Sequence, residues 1–426
     1  MDIHVVQPGD SLYSIAQQYG VPMARLLSDN QLPNPGSLVV GQTIVIQYPQ
    51  QVHTVLPGET LSSIAQQYGL TIRQLLRNNP VLRGEEDIFA GQELVLSFQQ
   101  EKEGLLSVNG YAYPNIDRGL LQRTLPYLTN LTPFTYGFTP TGELVIPDDE
   151  PLLAAAKQMG VAPLLHLSTL TEGGSFSNEL AHLVLNDMEV QNNLIANLLP
   201  VLTSKGYRGL DVDFEFVLAE DAQPYAQFIT RLRSILSPMG LPVIVALAPK
   251  TSADQPGLLY EGHNYRLLSE AADQVLLMTY EWGYTYGPPM AVAPIRNVRQ
   301  VVEYALTEMP AEKIWLGIPN YGYDWLIPYQ QGRRATSISN QYAVTLAARY
   351  GAAIRYDEQA QSPWFRYVDE NGQEHEVWFE DARSIRAKLA LIPEYGLYGA
   401  GYWNLMRPFP QNWLVLNALY NIRETP

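Results

Sequence analysis

Three carboxylates alternate with apolar residues in the stretch RGLDVDFEFV at 208–217, where Asp211, Asp213 and Glu215 are separated by Val212 and Phe214. In an extended strand, residues two apart share one face at a spacing of roughly 6.5–7 Å. The acids therefore point one way and Val212, Phe214 and Phe216 the other. Carboxylates this close cannot all ionise cheaply, so the row is expected to share protons and raise at least one pKa. A glutamic acid kept protonated near neutrality can serve as a general acid. An edge strand with a solvated acidic face would show the same alternation. A calcium cage would need a glycine-bearing loop, which is missing here, and a nucleophile–acid glycosidase pair would need a second carboxylate from another strand.

The elements that would position such a row follow from the pattern around it. From 105 onward, short apolar runs (106–113, 133–137, 162–167, 209–215, 242–248, 274–280, 313–319 and 399–403) alternate with amphipathic segments such as 190–204, 224–237 and 297–307. Eight strand–helix alternations predict an α/β fold, a parallel (β/α)8 barrel. The rival doubly wound sheet would place a GxGxxG after an early strand, and none is present. In a barrel the acid row faces inward, and catalytic groups sit at the C-terminal strand ends. Glu215 is nearest that end. The interval between the seventh and eighth strands is too long for one connection and holds a hairpin turn at Glu370-Asn371-Gly372, so residues from about 328 to 379 are expected to form a small α+β insertion walling the mouth.

The first hundred residues are a tandem repeat. SIAQQYG occurs at 14–20 and again at 63–69, and the same 49-residue offset maps Pro8-Gly9-Asp10 onto Pro57-Gly58-Glu59 and Asn30 onto Asn79. Each copy reads as β-α-α-β, with strands at 4–7 and 43–47, then 53–56 and 93–97, and second helices at 23–27 and 72–76. Asp10, Ser11, Glu59 and Thr60 are placed to cap the first helices. The polar stretch QQEKEG at 99–104 reads as a hinge.

Composition sets further bounds. Of the 426 residues 46% are hydrophobic and 16% charged, ample for packed domains, and the net charge of −16 argues against nucleic acid and anionic membranes. With no cysteine there are no disulfides or thiolate sites, and the six histidines show no HxxxH spacing, so no metal and no cofactor are implied. The start MDIHVVQPGD lacks a secretory signal, and no run reaches the roughly 18 apolar residues of a membrane span. The 27 tyrosines and 7 tryptophans offer flat faces suited to sugars.

The repeated unit resembles the LysM module, which binds N-acetylglucosamine-containing glycans. The resemblance rests on the PGDSL/PGETL turns, the Ala-x-x-Tyr-Gly helix ends, the Asn and the closing VGQ/AGQ. It implies glycan contacts between residues 9–12 and 30–33 in module 1 (1–49), and between 58–61 and 79–82 in module 2 (50–99). The residues concerned are Gly9, Asp10, Ser11, Leu12, Asn30 and Leu32, then Gly58, Glu59, Thr60, Leu61 and Asn79.

The large domain, 104–426, resembles family 18 glycoside hydrolases, the chitinase-type barrels. LDVDFE is similar to the DxDxE signature, LLMTYEWG at 276–283 to the sixth strand, IWLGIPNYGYDW at 314–325 to the seventh and GAGYWNL at 399–405 to the eighth. The resemblance implies substrate-assisted hydrolysis. Glu215 would protonate the glycosidic oxygen, and the substrate's own acetamide would attack the anomeric carbon. Asp213 would hold the acetamide N–H with Asp211 behind it, and Tyr280 would donate to the acetamide oxygen. Trp403 would floor the sugar site, with Met278, Tyr321 and Tyr111 lining it. Three departures stand out: Arg208 and Glu281 replace family aspartates, and LLHLST at 164–169 lacks the S-x-G-G run. Glu281 would alter subsite contacts. Two LysM modules ahead of such a barrel resemble the spore cortex-lytic N-acetylglucosaminidases of endospore formers. That implies a monomer with peptidoglycan as its partner, made in the mother cell and held on the spore.

Overall fold

The computed structural model describes residues 1–32, 35–170 and 174–424. Eight parallel barrel strands run in chain order: Gly104–Ala112, Asn130–Pro133, a third in two pieces (Ala162–Pro163 and Leu165–Ser168), Leu210–Asp213, Val243–Leu247, Gln274–Leu277, Ile314–Pro319 and Gly399–Trp403. The eighth pairs with the first, Gly399 opposite Ser107. The break in the third strand lets its first piece pair with the second strand and its second piece with the fourth. Beyond Pro133 the backbone rejoins the third strand, as Tyr136 N–H donates to His166 O at 2.8 Å and Ser168 N–H to Tyr136 O at 2.9 Å. The barrel is a closed (β/α)8 fold.

The second strand lies earlier than the expected 133–137, because the paired residues are the short, partly polar Asn130–Pro133. The fourth strand stops at Asp213, so Glu215 stands beyond it in the loop at the C-terminal mouth. Alternation holds as far as Phe214, whose ring stacks outward on Tyr225 at 5.5 Å and Phe228 at 5.9 Å, both on the helix Ala222–Leu236. It then breaks, since Phe216 adopts φ +56° and leaves the strand conformation.

The insertion is a five-stranded antiparallel sheet ordered Thr336–Ile338, Gly322–Ile327, Glu374–Trp378, Ser362–Val368 and Arg355–Asp357, with one helix, Asn340–Arg349. It begins at Gly322, directly after the seventh strand and ahead of the expected 328. Tyr321, just before it, stands behind Glu281, to which its hydroxyl donates.

Each module pairs two strands antiparallel (Asp2–Val5 with Thr43–Ile46; Pro49–Thr54 with Glu93–Phe98) around two helices. Ser11 and Thr60 cap the first helices in reciprocal boxes with Ser14 and Ser63, and Gly20 and Gly69 end them at φ near +65°. The second helices run to Asn30 and Asn78, further than the sequence pattern indicates.

The modules do not hang from a hinge. Gln99 N–H donates to Tyr48 O at 2.9 Å and Glu103 N–H to Leu419 O at 2.6 Å, so the polar stretch is tied down. In module 2, Arg77 is 3% exposed and donates to Pro126 O at 2.9 Å and Glu424 at 3.0 Å, while Arg73 donates to the carbonyls of Leu128 and Gly160. In module 1, Thr43 and Gln411 exchange two hydrogen bonds at 2.6–2.7 Å, and Ile354 N–H of the insertion donates to Val40 O at 2.9 Å. Burial of arginine guanidinium groups is tolerated only with such partners, so these contacts fix both modules to the barrel.

Candidate active site

The acid row is assembled by strand register. On the fourth strand Asp211 lies opposite His166 and Asp213 opposite Ser168 of the third. Asp211 is fully buried and accepts from the Tyr111 hydroxyl of the first strand at 2.6 Å. Burial pushes its carboxyl up to about 6, with His166 and Tyr111 favouring the anion and Asp213 opposing it. Asp213 is 5% exposed, with Oδ2 at 3.4 Å from His166 Nε2. One oxygen of each aspartate, Oδ1, has no partner among the described residues. Buried unsatisfied acceptors are uncommon, and here they face the interior of the barrel.

Glu215 opens onto a cleft of about 540 Å³ lined also by Asp213, Tyr280, Met278, Trp403 and Tyr111. Burial holds its carboxyl well above the ordinary glutamate range, and the charges of Asp213 and then Glu281 push it the same way. Among the described residues its carboxyl has no hydrogen-bond partner and no ion-pair partner. The result is a carboxylic acid that keeps its proton where a free one would have lost it.

Tyr280 follows the sixth strand and is held by backbone turns, its N–H donating to Met278 O at 2.9 Å. A Cβ on Gly317 would lie 2.8 Å from its ring and 2.4 Å from Leu277 O, so only glycine on the seventh strand leaves room for it. Its hydroxyl makes no hydrogen bond to protein among the described residues and is free to donate to a ligand. Burial first, then the carboxylates, keeps that hydroxyl protonated. Trp403 ends the eighth strand and packs at 4.9 Å on Phe134, 5.8 Å on Tyr111 and 6.1 Å on Tyr113. That aromatic bed holds the indole as one wall of the cleft, the kind of surface that apolar sugar faces cover.

Tyr321 differs from expectation. It does not line the cleft: its hydroxyl donates to Glu281, which Tyr323 also holds at 3.1 Å. Glu281, at φ +67°, is thereby turned into the mouth by two tyrosines. Residues that the pattern did not single out include His166, Phe134, Tyr113 and Trp282, all lining the cleft. The available signal was the odd third strand, where LLHLST puts a polar ring two residues before a serine on the inward face.

The module residues divide. Gly9 and Gly58 form tight turns at φ +93° and +88°, and Ser11 and Thr60 cap helices on the surface. Asp10 and Glu59 are not caps: they accept from the Gln7 and Leu56 N–H groups at 2.7 Å and from His4 and His53. Asn30 and Asn79 are 2% and 1% exposed and bond the backbone of the second helix and last strand, Asn30 to Leu26 O and Val45, Asn79 to Leu75 O and Val95. This corrects the expectation that they face a glycan; their amides close the module. Leu12, Leu32 and Leu61 belong to the module cores. Pro33 of the expected contact loop lies outside the described residues.

The model of glycosyl hydrolases family 18 matches residues 111–407, and the LysM domain model matches 4–47 and 53–97. The cortical fragment-lytic enzyme of Bacillus subtilis (strain 168) is 45% identical over 429 residues, covering 99% of each chain. The crystal structure of the Bacillus megaterium QM B1551 spore cortex-lytic enzyme SleL superposes with a TM-score of 0.84 at 38% identity, covering 100% of this chain and 99% of that one. The SleL structure from Bacillus cereus also gives 0.84, at 37% identity over 99% and 98%. The chain belongs to glycosyl hydrolases family 18 and carries two LysM domains ahead of its catalytic barrel.

Proposed function

We propose that the protein hydrolyses the β-1,4 bond on the reducing side of N-acetylglucosamine in peptidoglycan, with spore cortex bearing muramic-δ-lactam as its substrate during germination. The observation that carries this reading is Glu215, a carboxylic acid kept protonated at the mouth of a cleft with Asp213 two residues before it. Its relatives' names supply the cortex.

The chemistry follows from the side chains. Glu215 gives its proton to the glycosidic oxygen as that bond breaks. The acetamide carbonyl oxygen of the N-acetylglucosamine unit attacks the anomeric carbon from the opposite face, forming an oxazolinium ion. Asp213 accepts the acetamide N–H on its unpartnered oxygen and offsets the positive charge, and Tyr280 donates to the acetamide oxygen and aligns it. Trp403 and Met278 shape the wall that carries the ring. Water then enters at the anomeric carbon while Glu215, now a carboxylate, takes its proton, and the product keeps the β configuration. Asp211, buried behind Asp213 and held by Tyr111, supplies a nearby site where a proton can reside. Module surfaces around Gly9, Ser11, Gly58 and Thr60 would hold neighbouring glycan, at the spore where cortex lies, with a monomer as the working unit.

Digestion of purified cortex, vegetative peptidoglycan and chitin, with new reducing ends read by mass spectrometry and product anomers by NMR, tests the proposal. New N-acetylglucosamine ends from cortex in the β form are expected. An α product would exclude the substrate-assisted route. Chitobiose released faster than any cortex fragment would make the protein a chitinase, and binding without turnover would make it a glycan-binding coat protein.

A further inference from the structure

His166 is the one imidazole that lines the cleft among the described residues, and the roles given to Glu215, Asp213, Asp211 and Tyr280 leave it unused. It is 1% exposed. Its Nδ1 lies 2.6 Å from Thr135 Oγ1, and that hydroxyl lies 2.9 Å from Ser168 Oγ and 3.2 Å from Tyr136 O. Its Nε2 lies 3.4 Å from Asp213 Oδ2. Nε2 is therefore the nitrogen that faces the acid. An anionic Asp213 selects the tautomer with hydrogen on Nε2, and Thr135 then donates to Nδ1 while Ser168 donates to Thr135. If the ring takes a second proton, Nδ1–H donates to Thr135, which turns its own proton to Ser168 or to Tyr136 O. In both states Nε2 keeps its hydrogen and is the ring edge beside Asp213, at 3.4 Å and without a hydrogen bond.

We propose that His166 is a positioning residue for the hydrolysis: held by Thr135 and Ser168, it sets its Nε2 edge beside Asp213 and so fixes the orientation with which Asp213 meets the substrate acetamide. The inference rests on the function proposed above. The contact of 3.4 Å is an electrostatic restraint rather than a tight bond, so Asp213 can still swing toward a substrate. The groups facing the ring are few. From the first strand comes Tyr111, edge-on at 5.7 Å with its hydroxyl on Asp211; from the end of the second come Phe134 at 4.7 Å and Thr135; from the fourth come Asp211 and Asp213. Among the described residues, two carboxylates and one phenol surround the imidazole. The imidazole favours the carboxylate form of Asp211. Removing the ring therefore leaves Asp211 holding its proton to higher pH, and the acid limb of turnover moves upward.

The test uses the full chain with His166→Ala, His166→Asn and Glu215→Gln beside the wild type, on soluble fragments of purified cortex. For His166→Ala, kcat is expected to fall about 100-fold, the scale of misplacing a group that meets the substrate, with KM changed less than about threefold. For His166→Asn, whose amide still offers an N–H but no charge, about tenfold of that loss returns, while the acid limb of kcat/KM stays about one pH unit above wild type. A kcat for His166→Ala within about twofold of wild type would overturn the inference, as would an unmoved acid limb in His166→Asn. If the alanine variant does not fold, the pH profile of His166→Asn decides alone. Glu215→Gln separates the layers: at wild-type rate it overturns the underlying reading and this inference with it, whereas inactive Glu215→Gln beside wild-type-like His166 variants overturns this inference only.

Discussion

At the turns of the two modules, Asp10 and Glu59 each receive a backbone N–H at 2.7 Å and a histidine ring at 2.7–2.8 Å, and both carboxyls are held below their usual range, the backbone hydrogen bond first. At the barrel mouth, Glu215 is enclosed, stands near two other carboxylates and is pushed up. The residue types are the same and the chain is the same. What differs is whether the surroundings stabilise the anion or exclude water from it. The module acids are architecture: each pins a Pro-Gly turn to a histidine that Tyr19 or Tyr68 also holds. Among the described residues the mouth acid has no such partners, and that deficit suits it to be a proton donor near neutrality.

The contrast makes opposite predictions for one kind of substitution. Glu215→Gln is expected to lower turnover on cortex fragments about 1,000-fold while glycan binding survives, measured by reducing ends and by calorimetry. The same change should raise the thermal midpoint at neutral pH. A carboxyl raised in the folded state favours folding fully only below its unfolded pKa of about 4.3, and that contribution is lost as pH rises toward its folded value, so a neutral amide removes the loss. A lower midpoint at pH 7 would break the comparison. Glu59→Gln should do the reverse: turnover on soluble fragments unchanged, with a drop in midpoint above about pH 4 that disappears in acid, because a lowered carboxyl stabilises only while ionised.

Smaller effects sharpen the same contrast. Tyr280→Phe is expected to reduce kcat about 100-fold with little change in stability, since the hydroxyl lacks a protein partner to lose. Arg77→Ala is expected to cost about 3 kcal/mol by denaturant titration, leaving Pro126 O and Glu424 without their buried donor. Unchanged stability there would return the modules to the status of tethered, independent units. Thr60→Ala, removing one helix cap, should cost about 1 kcal/mol and leave turnover untouched.

These regions were not equally legible in the sequence. The acid row could be read because strand periodicity and carboxylate chemistry act within a few residues, and the eighth strand falls where its apolar run lies, Gly399–Trp403. The second strand was misplaced because FTYGF after Pro133 has the stronger strand character while the pairing residues NLTP are short and polar. Glu215 escaped the strand only because Phe216 turns to positive φ, a backbone event with no marker in side-chain type. The docking of the modules was invisible for a different reason. Arg73 and Arg77 look like a solvated helix face until carbonyls of Leu128, Gly160 and Pro126, distant in sequence, are brought to them by the barrel. His166 was hidden likewise, since its partners Thr135 and Asp213 lie on other strands.

Enclosure and the charges of Asp213 and Glu281 keep Glu215 protonated. The pH dependence of kcat/KM for wild type and Glu281→Gln on soluble cortex fragments tests it most directly, because Glu281 contributes one of the charges that raise Glu215. The predicted result is an alkaline limb well above the carboxylate range of about 4–5, which moves to lower pH when the Glu281 charge is removed. An alkaline limb within that range, or one that does not move in the variant, would contradict the account.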